Sequence, residues 1–152
     1  MLSKKSKYAL IALIRLGDER GPMLISDLAE QEGIPKKFLE LILLELKHHG
    51  ILQSKKGKGG GYFLGKPPEL ISLGDVVRTL DGPLAPIACV SHTAYRRCEE
   101  CPDEETCGIR MVMQEVRDST SSILDSTTLA DVKKRVALAK KKGKKGKAHS
   151  LL

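Results

Sequence analysis

Apolar residues recur at helical spacing three times in the first half of the chain. Residues 4–16 carry an apolar face wide enough for a buried helix. A shorter amphipathic segment covers 26–32, and a longer apolar-periodic run extends from 35 to 49. Residues 51–56 and 62–64 are then typical of two short strands joined by a glycine-rich turn. The pattern predicts three helices followed by a β-hairpin.

The second half of the chain carries three further helical patterns and then loses its apolar periodicity. Residues 73–80 predict a short helix, and residues 108–124 predict a long one. Thr127 or Thr128 can cap a last helix. From residue 140 onward lysines and glycines follow one another without apolar spacing, which predicts a disordered tail.

These stretches divide the chain into four parts. They are a head over 1–82, a cysteine loop over 83–107, a long helix with a terminal helix over 108–139, and a basic tail over 140–152. The order helix, tight turn, helix and hairpin in the head is typical of a winged helix-turn-helix, which places its second helix in the major groove of DNA. We therefore expect a mainly α fold with a small β-hairpin wing and a DNA-binding transcriptional regulator.

The predicted DNA-contacting residues lie on the second helix of this motif and on the hairpin. Lys36 and Lys37 occupy the first turn of that helix, where they can reach phosphates or guanine acceptors. Glu40 can accept from cytosine, although an ion pair with Lys36 within the helix is an alternative.

In the wing, three lysines surround glycines that allow close approach of the backbone to phosphates. The wing residues predicted to contact DNA are Lys55, Lys56, Lys58, Gly59, Gly60 and Tyr62.

The net charge of +7 is distributed unevenly along the chain. Residues 1–65 hold 11 Lys or Arg against 7 Asp or Glu, residues 66–132 hold 6 against 12, and residues 133–152 hold 9 against none. A basic head and tail therefore flank an acidic middle. This distribution favours binding to DNA phosphates, but a surplus of surface lysine is also common on solvated surfaces.

Composition narrows the class of protein further. Aromatic residues make up 3% of the chain and Trp is absent, so the core must be aliphatic. No apolar run approaches the roughly 18 residues that a membrane span needs, and the N-terminus lacks the pattern of a secretory signal. We expect a cytoplasmic protein with no membrane partner.

All four cysteines of the chain, Cys89, Cys98, Cys101 and Cys107, lie within 19 residues. Four explanations remain open at this point: a disulfide pair, which a cytoplasmic compartment disfavours, structural zinc, an iron–sulfur cluster, and a metal-free thiol switch. A thiol oxidoreductase is disfavoured because Glu99 and Glu100 raise thiol pKa values. No other nucleophile–base pair is visible, so we do not expect an enzyme.

The long helix carries an apolar face that water alone would solvate poorly. Ile109, Val112, Val116 and Ile123 lie at helical spacing along it. The same helix of a second copy can cover this face, or the helix can pack on its own head. A symmetric dimer would place two heads on one side of the DNA and would require a near-palindromic operator.

Three segments together resemble the IscR/NsrR/CymR-type regulators. They are Lys7-Tyr8-Ala9-Leu10, Ile34-Pro35-Lys36-Lys37-Phe38-Leu39-Glu40 and Gly57-Lys58-Gly59-Gly60-Gly61-Tyr62, with cysteines before a long helix. The resemblance covers about residues 2–132. It implies a winged helix-turn-helix with a C-terminal dimerisation helix, a homodimer on double-stranded DNA and, in many members, an iron–sulfur cluster on three cysteines that modulates operator affinity. Other members lack the cluster and respond through thiols or a partner protein.

The family's cysteine pattern matches this chain only in part. Cys101 and Cys107 keep the expected interval of five intervening residues, whereas either Cys98 or Cys89 could supply the earlier ligand. Arg110 stands where IscR-like members place a histidine ligand, and Lys7 stands where NsrR-like members use an acidic one. This departure favours Cys89 as a fourth ligand or an exchangeable outside ligand, with His92 as a lesser candidate. Both 2Fe-2S and 4Fe-4S clusters remain possible, with zinc as the alternative.

Overall fold

The computed structural model describes residues 2–150, and side-chain surroundings through residue 145. The elements in this part of the chain are α1 (Lys4–Asp18), α2 (Ile25–Glu32), α3 (Lys36–His48), β1 (Leu52–Lys55), β2 (Gly61–Leu64), α4 (Leu73–Asp81), α5 (Gly108–Ser126) and α6 (Leu129–Ser150). The fold is therefore mainly helical with one two-stranded hairpin, as the apolar pattern predicted.

One aliphatic core holds the head together. The inner faces of α1, α2, α3 and α4 meet in it, and Leu13, Leu28, Leu43 and Val76 have no exposed surface. Leu129 at the start of α6 joins the same core, with 2% of its surface exposed. Burial of such side chains is the main favourable term in folding, so this core fixes the relative positions of the helices.

The turn between α2 and α3 depends on a glycine. Gly33 ends α2 with φ of 65°, a left-handed conformation that residues with a Cβ atom rarely adopt. The following Ile34 is buried, and Pro35 precedes the first turn of α3. This tight connection positions α3 against α2 as in a helix-turn-helix.

The hairpin is attached to the head through its second strand. β1 and β2 pair antiparallel, with Leu52 opposite Leu64 and Lys55 opposite Gly61. The backbone of Tyr62 exchanges two hydrogen bonds with Met23, at N···O distances of 2.8 and 2.9 Å. A Cβ atom at Gly61 would collide with the Met23 carbonyl, so only glycine permits this approach. The hairpin is therefore fixed to the head at the start of β2.

The C-terminal end of α5 is attached to the head at the start of α4. Leu73 N donates to Thr127 O at 2.9 Å, and Leu129 N donates to Ile71 O at 3.0 Å. Thr128 and Asp131 cap α6 reciprocally, each side chain accepting from the other's backbone N–H. The connection between α5 and α6 is thus held by backbone hydrogen bonds to the head and by the capping box at the start of α6.

The structure differs from the sequence prediction at the basic tail. The predicted disordered segment from residue 140 instead continues α6 through Ser150, while residues 151 and 152 lie outside the described part. Lysine and alanine are good helix formers, and a helix already started by the packed Leu129 turn needs no new nucleation. The side chains described from 136 to 145 are exposed, so this extension of α6 leaves the body of the protein.

None of the helices in the described part of the chain combines the length and the hydropathy that a membrane crossing requires.

Candidate DNA interface and cysteine site

Helix α3 separates its residues into a buried face and a mixed outer face. Leu39, Ile42, Leu43 and Leu46 are fully buried. Lys36, Lys37 and Glu40 are exposed on the other side, together with Leu41 and Leu44. The three residues predicted to contact DNA on this helix are therefore presented together.

The alternative role proposed for Glu40 finds no support in the geometry. Among the ion pairs of the described residues, none joins Glu40 to Lys36. The carboxylate is left to solvent or to a ligand, which keeps it available as an acceptor.

The wing exposes its lysines and buries one of its glycines. Lys55, Lys56, Lys58 and Gly59 are exposed. Gly60 is instead buried in the tip, where its N–H donates to Gly57 O at 3.0 Å and a Cβ atom would collide with Lys55 O. Gly60 therefore shapes the tip and has no free N–H to offer a phosphate.

Tyr62 also has a structural role. Its side chain packs against the core as a partly buried residue, and its backbone is bonded to Met23. This arrangement anchors the hairpin that carries the exposed lysines.

The four cysteines line one cavity at the start of α5. Its volume is about 300 Å³, and its wall contains Cys89, Cys98, Cys101 and Cys107 together with Glu100 and Arg110. All four are free thiols; Cys89 is buried, and the other three are partly exposed. Residues spread over 19 positions in sequence are thus brought to one place. His92 is exposed and does not belong to this wall.

Two arginines of α5 hold the Cys89 turn against the helix. Cys89 lies in a short 3-10 helix, Ala88–Val90. Arg110 Nε donates to Cys89 O at 3.4 Å, and Arg117 Nη1 donates to Val90 O at 2.7 Å. Arg110, which stands where the resemblance to IscR-like members implies a histidine, therefore has a positioning contact. Arg117 was missed from the sequence because its partner is 27 residues away.

The last cysteine is part of the α5 N-terminus. Cys107 is the N-cap residue, and its Sγ accepts from Arg110 N at 3.5 Å. Just before it, the two carboxylate oxygens of Asp103 accept from Glu105 N and Thr106 Oγ1, both at 3.0 Å. Any movement of the cysteine site at Cys107 is therefore also a movement of the first turn of α5.

Two thiols of the loop, those of Cys98 and Cys101, have raised pKa values. A hydrogen bond from Cys98 Sγ to Glu100 Oε2, 3.1 Å long, raises the Cys98 pKa. Partial burial and then the neighbouring Cys107 raise the pKa of Cys101. A reactive thiolate needs the opposite surroundings, so this site is unsuited to thiol oxidoreductase chemistry. A metal centre would have to displace these protons on binding.

The cysteine cavity supplies thiol ligands of the kind that a metal centre uses. Within the described residues, no three His, Cys, Asp or Glu side chains are arranged to hold one metal ion. Tetrahedral zinc would need its thiolates about 3.8 Å apart, given Zn–S bonds of about 2.3 Å. The thiolates of an iron–sulfur cluster bind different iron atoms, and four thiols line this one cavity.

Helix α5 and the head meet through a bidentate ion pair that the sequence did not reveal. Arg78 of α4 donates from Nη1 and Nη2 to the two carboxylate oxygens of Asp125 near the end of α5, at 2.6 and 2.7 Å. Gly74 leaves the space for this carboxylate, since a Cβ atom there would collide with Asp125 Oδ1. The pair lowers the pKa of Asp125, chiefly through the hydrogen bonds from Arg78.

The family model for Rrf2, described as an iron-dependent transcriptional regulator, matches residues 2–135. The chain belongs to the Rrf2 family. An rrf2-like transcriptional regulator of the helix-turn-helix type from Rhodobacter capsulatus is 44% identical over 137 residues, which cover 87% of this chain and 91% of the relative. The resemblance inferred from the glycine-rich wing and the α3 motif is thereby confirmed.

Two solved structures share the fold of this chain. CymR, the global cysteine regulator of B. subtilis, matches with a TM-score of 0.71 at 30% identity, covering 87% of this chain and 95% of CymR. T. potens IscR matches with a TM-score of 0.71 at 28% identity, covering 90% and 88%. This Rrf2 chain is a DNA-binding transcriptional regulator with a winged-helix head, and it is not an enzyme.

Proposed function

We propose that this Rrf2 regulator is a homodimer whose operator affinity is set by an iron–sulfur cluster on the cysteine loop. The observation that carries the proposal is the single cavity lined by all four cysteines at the first turn of α5. Because the family is described as iron-dependent and the loop has thiol ligands, iron held through sulfur is the consistent chemistry. Its place of action is the cytoplasm, where bacterial operators are found.

The dimer is supported by the exposed face of α5. No residue of this 19-residue helix is buried, and Ile109, Val112, Val116 and Ile123 are exposed by 70, 53, 41 and 62%. These positions form one apolar stripe, and soluble monomers rarely leave such a stripe to water. The same helix of a second copy covers it symmetrically, and two symmetric heads bind a near-palindromic operator.

The ligands we assign are Cys101 and Cys107, with Cys98 and Cys89 completing the set. When bound, the cluster supplies a centre whose oxidation or loss changes charge and ligation at the loop. The side chains of this protein position the ligands of the site. Arg110 and Arg117 orient the Cys89 turn, and Cys107 joins the site directly to α5.

The same helix transmits the state of the loop to the DNA-binding head. Cys107 caps its first turn, and Asp125 near its last turn is bonded to Arg78 of the head. A change in the direction of α5 therefore moves the head relative to its symmetry mate. Cluster occupancy alters DNA affinity only if it favours one of these head arrangements over the other.

The ligand assignment is tested on protein purified without oxygen. We expect iron and acid-labile sulfide in equal amounts with visible charge-transfer absorption, and loss of both in Cys101→Ser and Cys107→Ser variants that remain folded. Thr106→Ser is the matched control, since it changes the same loop and keeps the hydroxyl bonded to Asp103. Full iron content in either cysteine variant would contradict the assignment. Zinc alone would show that the cysteines hold a structural zinc ion in place of the cluster. No metal at all would leave thiol oxidation or a partner protein as the signal.

The DNA-binding surface is tested by removing two wing charges. A Lys56→Ala, Lys58→Ala double variant should weaken binding to all sequences and reduce the slope of log affinity against log salt by up to about two. The control removes Lys5 and Lys133, which are already paired with Glu45 and Asp18, and makes the same change in net charge. An unchanged slope in the wing variant would exclude the wing from the interface.

A further inference from the structure

We propose that Leu41 and Leu44 of α3 select thymine in the operator by contacting its C5-methyl group. The proposal rests on the proposed binding of α3 in the major groove, and it adds which bases that helix prefers. It concerns two side chains that the sequence analysis did not include among the DNA contacts.

The core does not account for these two leucines. Leu39, Ile42, Leu43 and Leu46 already fill the inner face of α3 and have no exposed surface. Leu41 and Leu44 are exposed by 66 and 44%. Burying a leucine side chain stabilises by roughly 1.5–3 kcal/mol relative to leaving it in water. Two uncovered leucines on one short helix therefore indicate a surface that is covered when the protein acts.

The residues around these leucines indicate which partner covers them. Lys37, Leu41 and Leu44 are spaced by four and three residues, so they form one stripe on the outer face of the helix. Lys36 lies beside the start of this stripe and Lys47 follows its end, both exposed. Helix α5, which carries the other apolar stripe, has no lysine, and its two arginines, Arg110 and Arg117, are bonded to the Cys89 turn. A cationic border suits a polyanion, so the α3 stripe matches DNA rather than a second copy.

The chemistry of leucine then limits what can be recognised. Leucine has no donor or acceptor, so it cannot pair with the polar edges of the bases. The apolar feature of the major groove is the thymine C5-methyl group. Three residues of helix rise about 4.5 Å, close to the roughly 3.4 Å between base pairs along one strand. Leu41 and Leu44 can therefore face neighbouring base-pair steps, while Lys37 and Glu40 contact polar groups beside them.

The test begins with the operator itself. Full-length protein, with and without its metal centre, selects binding sites from a random duplex pool. Each selected thymine is then replaced singly by deoxyuridine, which keeps the pairing edge and removes only the methyl group. We expect one or two positions per half-site where this replacement weakens binding by about fourfold, the value of one buried methyl group.

The leucine variants assign the methyl contact to its side chain. In Leu41→Ala or Leu44→Ala the corresponding deoxyuridine replacement should have no effect, because the contact is already lost. Leu41→Gln should shift the selected base at its position toward adenine, which glutamine can bind through two hydrogen bonds. Leu70→Ala is the matched control, since Leu70 is 67% exposed but lies outside α3, and it should keep the full sensitivity to deoxyuridine.

Several results would overturn the proposal. Deoxyuridine without effect at every selected thymine, or with an equal effect in wild type and both leucine variants, would show that these side chains do not contact methyl groups. Dissociation of the dimer by Leu41→Ala or Leu44→Ala with unchanged base preference would assign the stripe to a protein interface. A pool from which no sequence is enriched would instead refute the proposed reading of the major groove by α3, on which the inference rests.

Discussion

The head and the cysteine loop are stabilised in different ways. The head is built around a continuous aliphatic core in which at least eight side chains, among them Leu13, Leu28 and Leu43, are fully buried. In the described structure of the loop over 83–107, only residues 89, 90 and 91 are buried. The loop is held instead by hydrogen bonds from Arg110 and Arg117 and by short turns such as that of Asp103.

This difference assigns a different property to each region. Many apolar contacts together stabilise the head, so its geometry is insensitive to small changes in conditions. A few polar contacts determine the loop, so its local free energy of opening is low and a ligand can reorganise it. A regulator needs both, because the signal must alter one region while the DNA-binding surface stays folded.

The largest predicted effect is in the head. Leu43→Ala removes a fully buried side chain and should lower the free energy of unfolding by about 2–5 kcal/mol. Leu41→Ala makes the same chemical change on the same helix, but at a position 66% exposed, and should change it by less than about 0.5 kcal/mol. Urea unfolding at one fixed protein concentration measures the free energy of unfolding of both variants. Equal losses would mean that the outer face of α3 is packed in the free protein.

The second prediction compares two cysteines of the loop in cluster-free protein. Cys89 is 7% exposed, so Cys89→Ser places a hydroxyl in apolar surroundings and should cost about 1–3 kcal/mol. Cys101 is partly exposed, and Cys101→Ser should leave the unfolding midpoint where it is in the wild type. Chemical unfolding after treatment with a chelator measures the two variants side by side. A large loss in Cys101→Ser would show that the loop contributes more to folding than its burial indicates.

The smallest effect concerns the junction that joins the two regions. Asp125→Asn breaks a partly exposed pair with Arg78 and should cost roughly 1 kcal/mol or less at pH 7. Because the pair lowers the pKa of Asp125, its contribution is present above the ordinary value of 3.8 and is lost as the pH falls through the folded-state pKa. The difference between wild type and variant should therefore disappear in strong acid.

The control for this junction is Glu115→Gln, which makes the same charge change on an exposed residue of α5. Unfolding free energies at pH 7 and at pH 3 are compared for the three proteins. A wild-type advantage over Asp125→Asn that persists undiminished in acid would show that the carboxylate charge is not what stabilises the junction. If cluster loading changes the DNA affinity of Asp125→Asn as much as that of the wild type, the Arg78–Asp125 pair does not transmit the state of the loop to the head.

Much of the head could be predicted from the sequence because its signals are local. The spacing of Leu39, Ile42, Leu43 and Leu46 specifies a helix with one buried face, and Gly33 specifies the turn before it. The lysines of α3 and of the wing were located for the same reason. The predicted DNA contacts of Gly60 and Tyr62 stay predictions, but the structural roles of these residues were not visible in the sequence, since they depend on Lys55 O and on Met23, which the local pattern does not specify.

The sequence by itself determined the helices, the hairpin, the outer face of α3 and the grouping of four cysteines before α5. Only the tertiary structure placed those cysteines around one cavity, held the Cys89 turn with Arg110 and Arg117, and joined Arg78 to Asp125. The partners in these last contacts are 21, 27 and 47 residues apart. Periodicity reports which face of an element is buried, whereas such contacts depend on how whole elements pack, and packing is decided by the complete core.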